Sequence, residues 1–236
     1  MDSDTNMNRT TAMRWMNHFL RFFFKHLYTT IAWLYDLVAY VTSVGQWRSW
    51  QRVGLEGLPP GRVLEIGYGT GHILPMLVQG GFDAFGIDPS KQMVRIATRR
   101  LMKGSFSAKL TQAKAQALPF CDETFHSILS TFPSEFIFDE ATFKEAHRVL
   151  KPEGVFVIIP GVSEILGLRG DKISVLAVLD QLASILYQIT GEAIDPDLIP
   201  NQDLSNRLKY LGFSGKLELV KQKRAVVMRI SAKKVG

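Results

Sequence analysis

The run Val63-Leu64-Glu65-Ile66-Gly67-Tyr68-Gly69-Thr70-Gly71-His72 carries an apolar stretch into three glycines at alternate positions. Glycine permits positive φ and lets a ligand approach the backbone closely. A helix opening from such a turn offers free N–H groups and a positive dipole end, which suit a carboxylate or a phosphate. An acid, Glu65, stands two residues before the first glycine. The dinucleotide fingerprint spaces its glycines G-x-G-x-x-G; the G-x-G-x-G spacing here disfavours a nicotinamide dehydrogenase. A second acid closes the next apolar run, in Gly86-Ile87-Asp88-Pro89-Ser90. After a glycine-rich first turn, an acid at this point is placed to accept both hydroxyls of a ribose. It also reads as an N-cap for the helix behind it.

These residues need a particular scaffold. Arg62-Val63-Leu64-Glu65-Ile66 reads as a buried strand and residues 71–79 as its helix, followed by a strand over 84–87 and a helix over 89–102. Further strands are expected over 125–130 and 155–159. A helix over 140–150 lies between them, stopped at Lys151-Pro152-Glu153-Gly154. Residues 203–211 read as helix closed by Gly212, and 216–220 with 225–230 as an antiparallel pair. Strands alternating with helices predict an α/β fold with a mostly parallel, Rossmann-like sheet, a C-terminal antiparallel hairpin and additional N-terminal helices. Leu58-Pro59-Pro60-Gly61 is a stiff turn, so the expected division is an N-terminal helical segment over 1–60 and a ligand-binding domain over 61–236.

Four further motifs follow in order: Gly86-Ile87-Asp88-x-Ser90-x-x-Met93, Ala117-Leu118-Pro119-Phe120-x-Asp122-x-x-Phe125, Glu145-x-x-Arg148-Val149-Leu150-Lys151-Pro152-x-Gly154, and Leu208-x-x-Leu211-Gly212-Phe213. Together with the glycine turn they resemble the class I S-adenosylmethionine (SAM) dependent methyltransferases of the "methyltransferase 11" group, over about residues 62–232. The resemblance implies SAM as cofactor and S-adenosylhomocysteine as product. It assigns Gly67, Gly69 and Gly71 to the methionine part and Asp88 to the ribose hydroxyls, with Glu65, Tyr68 and Pro89 also among the cofactor-binding residues. Met93 falls near the adenine, Ala115 at the adenine edge and Thr131 beside the methyl group. One position departs from the pattern. Many relatives have an acid before the Ala115 position, and this chain has Lys114, which cannot accept a hydrogen bond from the adenine amino group.

The N-terminal segment adds a different chemistry. Arg14, His18, Arg21 and Lys25 form one basic stripe beside Trp15, Phe19, Phe22 and Phe23, a pattern suited to an anionic membrane surface. Residues 27–47 hold one charge, Asp36, whose cost in a bilayer argues against a transmembrane span. No small-residue cleavage site follows, so a signal peptide is not expected. Trp33-Leu34-Tyr35-Asp36-Leu37 and Ser43-Val44-Gly45-x-Trp47-Arg48 are similar to the opening of the quinone-biosynthesis C-methyltransferases. That likeness implies a lid carrying Tyr35 and Asp36 over the cofactor. With the apolar stretch 175–189 it predicts a greasy pocket and a lipophilic acceptor such as a quinone precursor, isoprenoid or lipid.

Candidate bases are Asp36 and Tyr35, then Tyr28, Tyr40 and Tyr187. A base is needed only if the acceptor must lose a proton. No metal site is expected, because His18 and His26 belong to no cluster with ligand spacing. The one cysteine, Cys121, excludes an intrachain disulfide and reads as a half-buried loop residue. The net charge of +6 and pI near 9.4 fit anionic surroundings. A cytoplasmic protein, peripheral on the inner face of the membrane, is the expected setting. The base-modifying motif of nucleic-acid methyltransferases is absent where the fourth strand ends Ser130-Thr131-Phe132-Pro133, so nucleic acid is not the expected partner. The alternatives are a non-catalytic, membrane-associated SAM-fold protein and a methyltransferase of polar small molecules.

Overall fold

The computed structural model describes residues 46–133, 135–166, 172–174, 204–223 and 225–235. The basic stripe, the Tyr35-Asp36 segment, Tyr28, Tyr40 and residues 175–189 lie outside them. The sheet of the described residues has eight strands: β1 (Arg62–Ile66), β2 (Asp83–Asp88), β3 (Lys109–Gln112), β4 (Phe125–Thr131), β5 (Leu150–Leu166), β6 (Lys172–Ser174), β7 (Phe213–Gln222) and β8 (Ala225–Lys234). Their order is β3-β2-β1-β4-β5-β8-β7, with β6 pairing on β5. The first five strands run parallel, and β6, β8 and β7 join antiparallel. The order reverses at β1, which lies between β2 and β4. That switch point is where open α/β sheets bind ligands, at the carboxyl ends of their strands.

Helices α1 (Trp47–Arg52), α2 (Leu74–Gln79), α3 (Lys91–Lys103), α4 (Glu140–Val149) and α5 (Leu204–Tyr210) flank this sheet. One apolar layer contains Leu64, Ile66, Phe125, Ile128, Phe143, Phe156 and Phe213, and the other Val53, Val63, Leu77, Leu129, Val157 and Ile159. Parallel strands buried on both faces read as unbroken apolar runs, which is why β1, β4 and the middle of β5 were legible. Trp50 and Val53 pack into the second layer, so α1 shares the core although it precedes the expected division at residue 60.

The expected boundaries move at several places. The helix after β1 starts at Leu74 rather than residue 71, because Gly71 holds φ +75°, outside helical conformation. The helix after β2 starts at Lys91 rather than residue 89, with Ser90 as its cap. The Lys151-Pro152-Glu153-Gly154 stop is a bulge inside β5: Phe125 pairs with Leu150, yet two residues on Ser127 pairs with Val155. Glu153 takes φ +66° in that excursion, where proline has no ladder bond to break. Strand β3 was missed, since Lys109-Leu110-Thr111-Gln112 is an edge strand with polar ends. Cys121 is exposed rather than half-buried, in the turn before β4.

That turn is held by an ion-pair network. Arg148 donates to Glu145 through Nε (2.7 Å) and Nη2 (2.8 Å), and to Asp122 Oδ1 at 2.8 Å. It also donates to the Phe120 and Leu118 carbonyls at 2.8 and 3.0 Å, while Leu118 N–H donates to Glu145 Oε2 at 2.6 Å. One guanidinium thus pins the connection from β3 to β4 onto α4. Replacing Arg148 by Leu removes the donor to two carbonyls and to the Glu145 and Asp122 carboxylates, and should lower unfolding stability by about 2–4 kcal/mol. Denaturant unfolding checks this, and an unchanged midpoint would refute it.

Candidate functional site

β1 delivers the chain into the glycine turn at the switch point, and Gly67, Gly69 and Gly71 take φ of +72°, +52° and +75°. L-residues with side chains rarely adopt this region. At Gly71 space is a second constraint, because a Cβ there would stand 2.7 Å from the Cβ of Ala97 on α3. At Gly67 a Cβ would come within 3.2 Å of Phe136 Cζ. Gly67 and Phe136 face the same cavity, so glycine keeps that cradle open.

Hydrogen bonds tie the turn to β2. The N–H groups of Gly67 and Tyr68 donate to the Ile87 carbonyl at 2.9 and 3.3 Å. Gly69 N–H donates to Asp88 Oδ2 at 2.9 Å, and Ser90 N–H to Asp88 Oδ1 at 2.8 Å. Asp88 therefore spans two loops instead of capping α3. The cap is Ser90, whose hydroxyl accepts from Met93 N–H at 3.4 Å.

Three ionisable groups lie close together here. Glu65 is 2% exposed, and burial, then the nearby Asp88 charge, push its carboxyl well above the usual range. Asp88 is raised by burial, against the two backbone N–H bonds that favour its charged form. Tyr68 is raised by burial, then by Asp88 and Glu65. Among the described residues, Glu65 Oε2 and Tyr68 Oη have no hydrogen-bond partner. Buried polar atoms of that kind are rare and point to function.

The cavity beside the turn encloses about 430 Å³, within the range of small-molecule sites. Ile66, Gly67, Ile87, Pro89, Lys114, Ala115, Gln116 and Phe136 line it. Of the residues singled out in the sequence, Gly67, Pro89 and Ala115 meet in this lining, beside the Glu65, Tyr68, Gly69 and Asp88 cluster. Met93 packs instead with Tyr68, Leu74 and Leu101. Thr131 ends β4, where Gln51 Nε2 donates to its hydroxyl at 3.4 Å. Beyond it Trp47 stacks on Phe132 with ring centroids 4.0 Å apart.

Sequence reasoning missed Gln116, Phe136 and Gln51. Gln116 is neighbour to Ala115 and donates to Asp139 Oδ2 at 2.6 Å, so its position was a signal. Phe136 reaches the cavity from a 3₁₀ turn and Gln51 reaches Thr131 from α1, with no motif to mark either. Among the described residues no group of three or more His, Cys, Asp or Glu side chains could hold a metal.

Residues 63–154 match the family described as "Methyltransferase domain". The ubiquinone/menaquinone biosynthesis C-methyltransferase of Geotalea daltonii is 31% identical over 144 residues, covering 57% of this chain and 61% of that protein. The demethylmenaquinone methyltransferase of Thermotoga maritima is 32% identical over 139 residues, covering 56% and 59%. The chain thus spans about six tenths of the length of these curated relatives. A SAM-dependent methyltransferase from Aquifex aeolicus superposes with TM-score 0.57 at 19% identity, covering 79% of this chain and 89% of that one. The geranyl diphosphate C-methyltransferase of Streptomyces coelicolor, solved with S-adenosylhomocysteine, gives TM-score 0.58 at 12% identity, covering 80% and 79%. Residues 63–154 thus match a methyltransferase-domain family, and the described residues share the fold of solved SAM-dependent methyltransferases.

The Glu65 environment has a measurable consequence. Its folded pKa is raised, so the folded chain holds this proton more tightly than the unfolded chain does. Stability then falls as pH rises from the ordinary carboxylate range towards the folded value. Glu65→Gln removes that loss, and its melting temperature relative to wild type should climb steadily from acid to neutral pH. Parallel curves for the two proteins would refute the assignment.

Proposed function

We propose that this chain, built around a methyltransferase domain, transfers a methyl group from SAM to a lipophilic small molecule and releases S-adenosylhomocysteine. The observation that carries the cofactor half is the bond from Gly69 N–H to Asp88, which couples the glycine turn to the acid ending β2. The donor set fits the cofactor. Asp88 uses one lone pair on each oxygen for a backbone N–H, and the remaining pairs are available to two ribose hydroxyls. The glycine turn leaves room for the methionine part, with Glu65 and Tyr68 as its buried polar neighbours. Ala115 borders the adenine, and Gln116 stands beside it where Lys114 offers no acceptor.

SAM, when bound, supplies an electrophilic methyl on a sulfonium, so most of the protein's task is alignment. Thr131, held by Gln51, borders the methyl side. The aromatic group of Trp47, Trp50 and Phe132 adjoins it and favours an apolar acceptor in a site that excludes water. The relatives named for quinone methylation support a quinone precursor, isoprenoid or lipid as acceptor. Tyr35 and Asp36 remain the candidate lid residues and bases. Peripheral attachment to the inner face of the membrane, through the Arg14, His18, Arg21 and Lys25 stripe, belongs to the same reading. Among the described residues no helix is long and apolar enough to cross a membrane. Lys114 in the cavity lining favours one second reading, a SAM-fold protein that binds partners without turnover.

Two measurements test these readings. Calorimetry should detect SAM binding, weakened by roughly 1–3 kcal/mol in Asp88→Ala through loss of charge-assisted hydrogen bonds. A chain that takes up NADH and not SAM would overturn the cofactor assignment. Radiolabelled SAM should then mark lipid extracts in preference to polar metabolites or RNA. Label confined to the polar or RNA fraction would exclude a lipophilic acceptor, and SAM binding without label anywhere would favour the non-catalytic reading.

A further inference from the structure

Helix α3 carries Lys91, Arg95, Arg99, Arg100 and Lys103 and no acidic residue in its 13 positions. The whole chain has 28 basic and 22 acidic side chains, a net of +6, so this one helix concentrates five positive charges and carries no acid of its own. Lys91, Arg95, Arg99 and Lys103 recur at every fourth position and are exposed, on the side opposite buried Ala97 and Leu101. Arg100 turns inward instead and donates to the Thr70 carbonyl at 2.6 Å. Among the described residues no carboxylate forms an ion pair with the four outer cations.

The stripe works against its own helix. Like charges four residues apart repel, and Lys91 in the first turn opposes the helix dipole. Within the stripe stands Met102, three residues after Arg99 and 74% exposed. An apolar side chain among cations suits a surface where hydrocarbon begins just beneath a layer of negative charge. No aromatic side chain lies on this face to stack on nucleic-acid bases. We infer that α3 is a docking surface for an anionic lipid bilayer: its four cations meet the head groups and Met102 enters the interface. Pro89 lines the cavity and lies two residues before Lys91, so docking brings the cavity rim to the membrane. This deepens the proposed reading and rests on it for its purpose, because a lipophilic acceptor resides in that membrane.

The test is co-sedimentation of the full chain with phosphatidylcholine vesicles, with and without phosphatidylserine. Wild type should bind the anionic vesicles only, and added salt should release it. The triple variant R95Q/R99Q/K103Q should lose about tenfold or more in partitioning, given the attraction contributed by each surface cation. M102S should lose a smaller factor. A SAM titration and a thermal melt verify that the triple variant is folded. Should it melt early, R95Q and R99Q singly carry the test, each with a loss of about threefold or more. Equal partitioning of folded variants and wild type overturns the proposal, as does wild type that ignores the vesicles or prefers an RNA oligonucleotide to them. Vesicle binding through α3 without SAM binding would instead sink the methyltransferase reading and leave α3 as a membrane contact.

Discussion

Asp88 holds together two loops that come from different strands. Its carboxylate oxygens accept the N–H groups of Gly69 and Ser90, one from the turn after β1 and one from the start of α3. The glycine turn has no side chains with which to define its own shape, and three of its residues occupy positive φ. Backbone bonds to Ile87 and the bond to Asp88 supply that definition. The acid is 7% exposed, and such burial is tolerable because each oxygen already has a donor. The site's geometry is therefore set by main-chain groups on β1 and β2, strands that are buried on both faces and cannot shift without disturbing two apolar layers.

A buried acid that organises a site also costs the fold something. Glu65 and Tyr68 lie near Asp88 with one polar atom each unpartnered, and all three have their charged forms disfavoured by burial. Local conflict of this kind is expected where a protein must hold a ligand. Other polar groups nearby do have partners. The Ser130 hydroxyl donates to the Ile66 carbonyl at 2.8 Å, and the Arg148 network fixes the segment after Ala115. Among the described residues, buried polar atoms without a partner occur elsewhere too, Trp50 Nε1 and Ser127 Oγ included, but only at the turn do they sit beside a buried ionisable cluster.

Much of this was legible in the residues themselves. β1, β2 and β4 announced themselves through apolar runs, and the glycine spacing with Asp88 located the turn. What escaped was long-range or weakly patterned. Edge strand β3 lacks an apolar run, Gln51 meets Thr131 across 80 positions, and Phe136 faces the cavity from a short 3₁₀ turn. Pro152 and Glu153 read as a terminator because a bulge inside a strand uses the same residues as a loop. Lys114 stood out only as a departure from a family pattern, and the fold brings it to the cavity lining.

The ladder between β4 and β5 is irregular at its start and regular at its end. Phe125 and Ile128 are three positions apart, yet both belong to the first apolar layer. A regular strand repeats its face every second residue, and the ladder departs from this here because five positions of β5, Leu150 to Val155, run beside two of β4, Phe125 to Ser127. From Ser127 on the register with β5 is regular. Leu129 looks into the second layer, and Thr131, two residues further, shares its side and meets Gln51 of α1. Ser130 takes the opposite side and reaches the Ile66 carbonyl. Slipped by one residue against β1 and β5, serine and threonine would exchange sides at the mouth of the cleft. The register that β4 holds past the bulge in β5 thus decides which hydroxyl faces α1.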